Sequence, residues 1–213
     1  IKETNIKNKF QLIFFFFLSM FLSLIFLEKI GRTDLFNSLL LVASLHLVFI
    51  TIKDFFSKKI HNFSKKISHF GFSLLILSIL LNGIMSSEIT MNLKVGDSFN
   101  FGKEKIFFKS LKNNKINNYQ SITGHFIVVD DKKNIYEFEP ELRIYDQPEV
   151  VTSEADIKTY LFGDKFLVIN KIKGDEYFNV RYQIKPFMIW IWISTLLLVI
   201  GGSISLYKRY YEK

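Results

Sequence analysis

The sequence predicts a membrane α-helical protein with four transmembrane helices and a small antiparallel β domain, a barrel or a sandwich, inserted before the last helix. The first observation is that four uncharged apolar stretches of 18 to 22 residues interrupt the chain. At about 1.5 Å per helical residue, each can cross a hydrocarbon core of about 30 Å. The second is that the segment between the third and fourth stretches consists of short runs rich in Ile, Val, Phe and Tyr, separated by turn residues. Such runs are typical of β strands.

The apolar stretches predict transmembrane helices at 10–27, 35–52, 70–87 and 186–207. The chain is 49% hydrophobic and 23% charged, a composition between those of soluble and membrane proteins. The whole-chain composition does not show that the apolar residues are concentrated in four stretches. A soluble domain can bury one such helix, but four uncharged runs in one chain favour the membrane. Because the chain begins at Ile1, we expect more sequence upstream and do not interpret the first stretch as a signal peptide.

The distribution of charge predicts the side of the membrane on which each loop lies, because Lys and Arg in short loops stay cytoplasmic. The residues before the first stretch carry a net charge of +2, the 53–69 connection carries +4, and the tail that ends at residue 213 carries +2. The first turn and the long 88–185 segment each sum to zero. Both ends and the 53–69 loop are therefore expected in the cytoplasm, with 88–185 as a periplasmic domain. The basic excess reflects this topology and predicts no nucleic-acid partner.

The periplasmic segment is expected to form six or more strands. The predicted strands are Thr90–Val95, Lys105–Ser110, Ile122–Asp130, Asn134–Glu139, Phe166–Ile172 and Tyr177–Gln183. Turn residues at 96–97, 130–133 and 174–175 separate several of them. Between Pro140 and Pro148 we expect an irregular excursion, and Ser153–Leu161 is predicted to be a short helix that begins at a Ser or Thr N-cap.

Few motifs carry chemistry. The sequence has no cysteine, which excludes disulfides and Cys-ligated zinc or iron–sulfur sites. It contains no nucleophile elbow, phosphate-binding loop, zinc-protease motif or cluster of His with carboxylates. We therefore assign no catalytic residue to this chain.

The four histidines are the informative residues. His61, in the basic loop, and His125, in a predicted strand, are interpreted as ordinary polar residues. His46 lies inside the second apolar stretch and His69 opens the third. An ionisable side chain at membrane depth is a functional hypothesis by default, and a neutral imidazole can be an axial haem ligand.

Two roles stay open for His69 on these residues alone. The small neighbours Gly71 and Ser73 would let a flat macrocycle or another helix approach closely. The imidazole could therefore ligate haem iron or form a hydrogen bond with an adjacent helix. His46 is expected at a similar depth, so a bis-histidine pair between His46 and His69 is geometrically possible.

An ordered set of short phrases resembles one family. The phrases are Ser68-His69-Phe70-Gly71, Val95-Gly96-Asp97, Asn118-Tyr119, Pro140-Glu141-Leu142-Arg143-Ile144-Tyr145, Thr152-Ser153-Glu154-Ala155-Asp156-Ile157, Val180-Arg181-Tyr182-Gln183-Ile184-Lys185-Pro186-Phe187, Trp190-Ile191-Trp192, Gly201-Gly202 and Lys208-Arg209-Tyr210. Together they are similar to the C-terminal third of CcmF, the haem lyase component of bacterial cytochrome c maturation. The resemblance begins near Lys66 and runs to the end of the chain.

The resemblance implies a function at the bacterial inner membrane. Proteins of this family receive haem from a periplasmic haem chaperone and, with other cytochrome c maturation subunits, help to attach it to apocytochrome c through thioether bonds. The family also holds a b-type haem in the membrane between two histidines on different helices. His69 falls on one of them, in a motif where Ser68 replaces the usual Ala. The resemblance thus implies that His69 is an axial ligand of haem b.

The same resemblance implies that parts of the machinery lie elsewhere. In the family, the second axial histidine, two outward-facing histidines and a tryptophan-rich segment all lie upstream of the region that matches, so the chain alone is not expected to complete the reaction. His46 matches no family ligand and is interpreted as structural. Two departures concern the periplasmic domain: Leu142 replaces a basic residue, and Ile169-Asn170-Lys171 replaces an acidic phrase.

Two other functions stay open. The chain could be a non-catalytic, membrane-tethered docking module whose β domain binds the haem chaperone or apocytochrome. An upstream tryptophan-rich loop with flanking histidines would favour the lyase instead. A transporter fragment would carry more buried polar groups in its spans than Gln11, Asn37, Asn82 and a few Ser and Thr residues.

Overall fold

The computed structural model describes residues 2–57, 63–116, 118–172 and 176–211, with side chains from Lys9 onward. His61 and the predicted 174–175 turn lie outside these ranges. The chain divides into two compact units: a helical unit of Ile1–Met85 with Pro186–Lys213, and a β unit of Ser86–Lys185. This is the predicted fold class, with the β unit built as a sandwich of two sheets.

Four helices long and apolar enough to cross a membrane form the described part of the helical unit. They are α1 (Lys2–Ile30), α2 (Leu35–Phe56), α3 (Phe63–Met85) and α4 (Met188–Tyr211). Helix α3 begins before the apolar stretch that starts at residue 70, because its polar first turns are also helical and bury Ser64 and Ile67. The sequence had suggested that His69 opens this helix. In the structure, His69 lies inside α3, six residues after its first residue, Phe63.

Helices α3 and α4 approach each other closely through small residues. A Cβ atom built on Gly71 would lie 3.0 Å from Leu197 Cβ and 3.1 Å from Ser194 O. A Cβ on Gly201 would overlap the Ser68 hydroxyl and lie 2.9 Å from the Ser68 backbone nitrogen. Close backbone approach through small residues is a common way for membrane helices to associate. No larger residue fits at either glycine without moving the helices apart.

Polar contacts tie the same helices together. The Ser64 hydroxyl donates to the Gly201 carbonyl oxygen at 2.7 Å, and the hydroxyls of Thr51 on α2 and Ser73 on α3 are 2.7 Å apart. Lys66 Nζ donates to two carbonyl oxygens at the end of α2, Phe55 at 3.0 Å and Ser57 at 2.6 Å. The last turn of a helix leaves carbonyl groups that the helix itself does not bond, and the Lys66 ammonium caps this end of α2.

The described residues of the β unit form ten strands in two sheets. The strands are β1 (Ser87–Leu93), β2 (Ser98–Phe101), β3 (Glu104–Ile116), β4 (Tyr119–Val129), β5 (Ile135–Phe138), β6 (Glu141–Asp146), β7 (Glu149–Glu154), β8 (Asp156–Tyr160), β9 (Gly163–Lys171) and β10 (Phe178–Pro186). One sheet has the order β1-β10-β9-β8, and the other has the order β2-β3-β4-β6-β7 with β5 paired to β4. The first and last strands pair antiparallel, from Ser87 opposite Ile184 to Leu93 opposite Phe178.

Alternate residues of the two sheets form the core of the sandwich. The fully buried side chains are Ile106, Phe108, Phe126, Val128, Phe138 and Leu142 from one sheet and Leu167, Ile169, Val180 and Tyr182 from the other. The rings of Phe108 and Phe126 stack on adjacent strands with centroids 4.3 Å apart. The alternation of buried and exposed residues explains why the strand signal was readable in the sequence.

Two local predictions for the β unit are wrong. Ser153–Leu161 is not a helix, since it contains the end of β7 and all of β8. The β-branched run Val150-Val151-Thr152 favours a strand, and pairing of β7 with β6 outweighs the N-cap signal. The expected excursion after Pro140 is strand β6, which pairs with β4 on its other side.

A buried charge pair lies between the sheets. Lys165 Nζ on β9 is 2.7 Å from Glu104 Oε1 on β3, and these side chains are only 14% and 11% exposed. The Tyr182 hydroxyl donates to Glu104 Oε2 at 2.8 Å, and the Lys165 ammonium lies 3.7 Å from the centroid of the Tyr136 ring. Burial together with the bond to Glu104 raises the pKa of Tyr182. The network therefore links four strands, β3, β5, β9 and β10, and its two charges neutralise each other.

The glycine contact between α3 and α4 predicts opposite effects at two adjacent positions. Gly201→Ala is expected to lower the thermal unfolding midpoint of the chain in detergent. The added methyl overpacks the contact, which costs about 1–3 kcal/mol in free energy of unfolding. Gly202→Ala is the control, because nothing lies within 4 Å of the added methyl and alanine is the better helix former. Circular dichroism at a helical wavelength measures both, and equal midpoints would contradict the close contact.

The charge pair predicts a large effect of removing one partner. Glu104→Ala leaves the Lys165 ammonium buried without a carboxylate, which is expected to destabilise the sandwich by about 3–5 kcal/mol. Asp131→Ala removes an exposed pair with Lys103 at 3.6 Å and should change stability by about 0–1 kcal/mol. Chemical denaturation followed by near-ultraviolet circular dichroism of the tyrosines distinguishes the two, and a small effect at Glu104 would count against a buried network.

Candidate functional site

His69 lies on the exposed face of α3. Lys65 precedes it by four residues and Phe72 follows it by three, so the three side chains share one side of the helix. All three are exposed in the helical unit. The opposite side of α3 carries the buried residues Ile67 and Gly71, and Gly71 faces α4.

A groove runs along this face between α2 and α4. It has a volume of about 380 Å³ and is lined by Leu47, Thr51, Ser68, His69, Phe72 and Leu198. A smaller cavity of about 80 Å³ adjoins it at Thr51 and His69 and is lined also by Asp54, Lys65 and Lys66. We call the two together the His69 groove. Its walls are apolar near Phe72 and charged near Lys65.

The His69 imidazole is available to a ligand. Among the described residues, no hydrogen bond or ion pair involves this side chain. Nor do those residues contain a group of three or more His, Asp or Glu side chains that could hold a metal ion. One exposed imidazole in a mainly apolar groove suits a planar iron macrocycle, which takes a single ligand from each side. The donor chemistry and the groove thus fit haem at His69.

His46 is in a different environment. It is half-buried in a groove of about 620 Å³ between α1 and α2, which is lined otherwise almost entirely by apolar residues such as Phe16, Met20 and Leu39. Its ring packs edge-to-face on Phe16 with centroids 5.9 Å apart, and its Nδ1 is buried without a partner in the described part of the chain. The His46 groove and the His69 groove have only Leu47 in common, so neither contains both imidazoles.

His125 is half-buried on β4, opposite Ser110 of β3. It alternates with the core residues Gly124 and Phe126 along the strand and therefore points away from the core.

One of the two departures in the β unit, at Leu142, has a structural explanation. Leu142 is buried in the core, so a basic residue at this position would lie between the sheets. Its neighbour Arg143 instead faces outward and donates to Glu141 Oε2 through two nitrogens at 2.8 and 2.9 Å. These bonds hold the pKa of Glu141 below its usual value and raise that of Arg143.

The sequence singled out His69 as a candidate but did not predict the residues around it. Lys65 and Phe72 could have been found from the helical spacing of three and four residues, if the helix had been predicted to start at Phe63. Thr51 and Leu198 come from other helices, and no spacing along the chain predicts their position beside His69.

Comparison with known proteins agrees with this fold. The family model for the CcmF C-terminal beta-sandwich matches residues 84–186. The cytochrome c-type biogenesis protein CcmF of Pseudomonas aeruginosa is 27% identical over 147 residues, which are 69% of this chain and 22% of that protein. The cytochrome c-type biogenesis protein ccl1 of Rhodobacter capsulatus is 31% identical over 151 residues, which are 71% of this chain and 23% of that protein.

A solved structure and a further relative extend the match to the helices. The structure of "Cytochrome c Heme Lyase CcmF" superposes with a TM-score of 0.71 at 14% identity, covering 91% of this chain and 33% of that one. The cytochrome c-type biogenesis protein NrfE of Haemophilus influenzae is 25% identical over 181 residues, 84% of this chain and 28% of that protein. This chain therefore spans between a fifth and a third of the length of these relatives.

These matches, with four apolar helices and an inserted β sandwich, define the class: membrane proteins of cytochrome c biogenesis. Within that class, the chain is of the CcmF type and corresponds to the C-terminal portion of such proteins.

The unpartnered nitrogen of His46 predicts that this imidazole is dispensable for stability. A buried polar atom without a hydrogen bond costs about 1–3 kcal/mol, so His46→Leu is expected to raise the unfolding midpoint of the helical unit in detergent. Thermal unfolding followed by circular dichroism tests this. A lower midpoint would mean that the imidazole has a bonding partner in the membrane and is more than a packing residue.

Proposed function

We propose that this chain acts in cytochrome c maturation as part of the haem lyase, and that His69 is one axial ligand of a b-type haem in the membrane. The observation that carries the proposal is the His69 groove, in which one imidazole without a hydrogen bond among the described residues is presented beside apolar walls. The CcmF type of the chain supports haem as the ligand. The second axial ligand would come from outside this chain.

The residues around His69 would perform three tasks. The glycine contacts of Gly71 and Gly201 hold α3 against α4, so His69 is presented from a fixed helix. Leu47, Phe72 and Leu198 exclude water from the apolar part of the groove. When bound, haem would supply an iron that can take up and release one electron, which suits the reduction that thioether formation requires.

The location of this site follows from the proposed topology. The excess of positive charge in the 53–69 connection favours a cytoplasmic position for that loop. His69 would then lie near the inner surface, and the charge-balanced β unit would lie in the periplasm. There it would meet the periplasmic haem chaperone, apocytochrome c and other maturation subunits.

A docking role for the β unit is a second candidate, and one surface favours it. The Arg143 guanidinium lies 5.3 Å from the centroid of the Tyr119 ring, and Tyr119 and Tyr145 are 5.2 Å apart. On β6, Arg143 and Tyr145 point to the face opposite that of the buried Leu142, and Tyr119 of β4 is paired with Tyr145. The three side chains therefore share the outer face of the sheet. Tyrosine and arginine are enriched in protein interfaces.

Substitution of His69 separates the two roles. His69→Ala in the full-length protein is expected to abolish the b-type absorption of the purified protein and to stop cytochrome c maturation, because one axial bond to iron is lost. His46→Leu is the matched control, a histidine of the same helical unit outside the His69 groove, and should keep the absorption. Measurement of haem by the pyridine haemochrome spectrum decides the outcome. Full haem content in His69→Ala would refute the ligand role and leave docking as the function of the chain.

A further inference from the structure

The His69 groove contains a cation that the proposed function does not use. We propose that Lys65 binds a carboxylate of the macrocycle held at His69 and so determines which edge of that macrocycle faces the charged end of the groove. The inference rests on the proposed haem site and adds a positioning residue to it.

The geometry places Lys65 on the correct side of the helix. Four residues separate it from His69, which is the spacing that brings two side chains together on a helix surface. Both line the cavity of about 80 Å³ that adjoins the main groove at Thr51. The two cavities share Thr51 and His69 as lining residues, so a ligand at His69 lies next to the Lys65 end of the groove.

The charges of this end leave Lys65 free for a ligand. Lys66, its neighbour, is engaged in capping α2 through the carbonyls of Phe55 and Ser57. Asp54 lines the same cavity, yet no ion pair or hydrogen bond involves Lys65 among the residues that the structure describes. An ammonium group beside a partly apolar groove attracts an anion more strongly than it would in water.

The ligand has the matching pattern of polarity. A haem is apolar over its faces and over most of its edge, and it carries two carboxylates together on one side. The groove has the same division, with apolar walls at Phe72 and Leu198 and a charged end at Lys65. A carboxylate turned towards the apolar walls would lose its hydration without compensation, whereas at Lys65 it gains a charge-assisted hydrogen bond.

The consequence for the iron has a definite sign. A carboxylate neutralised by Lys65 places less negative charge near the metal, and less negative charge favours the reduced form. Loss of the ammonium should therefore lower the reduction potential of the bound haem. Hydrogen bonding and charge around a haem are among the means by which proteins set that potential.

The test compares three variants of the full-length protein in detergent or nanodiscs. Lys65→Gln is expected to keep the bis-histidine absorption and to have a lower reduction potential than the wild type in a spectroelectrochemical titration. Lys65→Arg should restore most of the potential. Lys53→Gln removes the same charge from the last turn of α2, outside the His69 groove, and should leave the potential unchanged. A wild-type potential in haem-loaded Lys65→Gln would overturn the proposal.

A second measurement does not depend on any variant. The wild-type apoprotein is reconstituted with haem or with haem dimethyl ester, which lacks the carboxylates. The ester should bind about tenfold more weakly, the loss expected for one hydrogen bond to a charged group, and equal affinities would overturn the proposal. If the proposed function itself is wrong and His69 is not the ligand, His69→Ala will bind haem normally. That result is distinguishable from failure of the Lys65 proposal alone.

Discussion

The close contact between α3 and α4 is the constraint on which the helical unit depends. At Gly71 and Gly201 the two backbones leave no room for a Cβ atom, and the Ser64 hydroxyl closes the contact by donating to the Gly201 carbonyl. This contact uses the side of α3 that carries Gly71. His69 and Lys65 lie on the side away from it, so the position of the candidate site follows from how the helix packs.

The inserted sandwich obeys a related constraint within its own unit. Strands β1 and β10 are its first and last elements, and they pair over the whole of β1. The two ends of the inserted segment therefore lie side by side, which is the condition under which a domain can be inserted into another without disturbing it. Helices α3 and α4, which precede and follow the insertion, are also neighbours in their own unit.

Polar groups are used differently in the two units. In the sandwich, Glu104, Lys165 and Tyr182 form a buried network in which each charge has a partner, so they contribute to a defined packing of the sheets. In the helical unit, Lys66 caps α2, while His69 and Lys65 have no partner among the described residues. An ionisable side chain without a partner at membrane depth is a functional hypothesis by default, so His69 points to a ligand.

Hydropathy and charge along the sequence determined the four helices, because a helix that spans a membrane requires a long uncharged apolar run. Such a run is visible directly in the sequence. Alternation determined most strands for a similar reason, and a single histidine at the mouth of an apolar stretch was enough to single out His69. Only the tertiary structure decided that 153–161 is strand, since pairing with β6 and β9 outweighed local preference. It also decided which side chains of other helices surround His69, because Thr51 and Leu198 meet there through helix packing. Contacts between distant parts of a chain leave no periodic trace in the sequence.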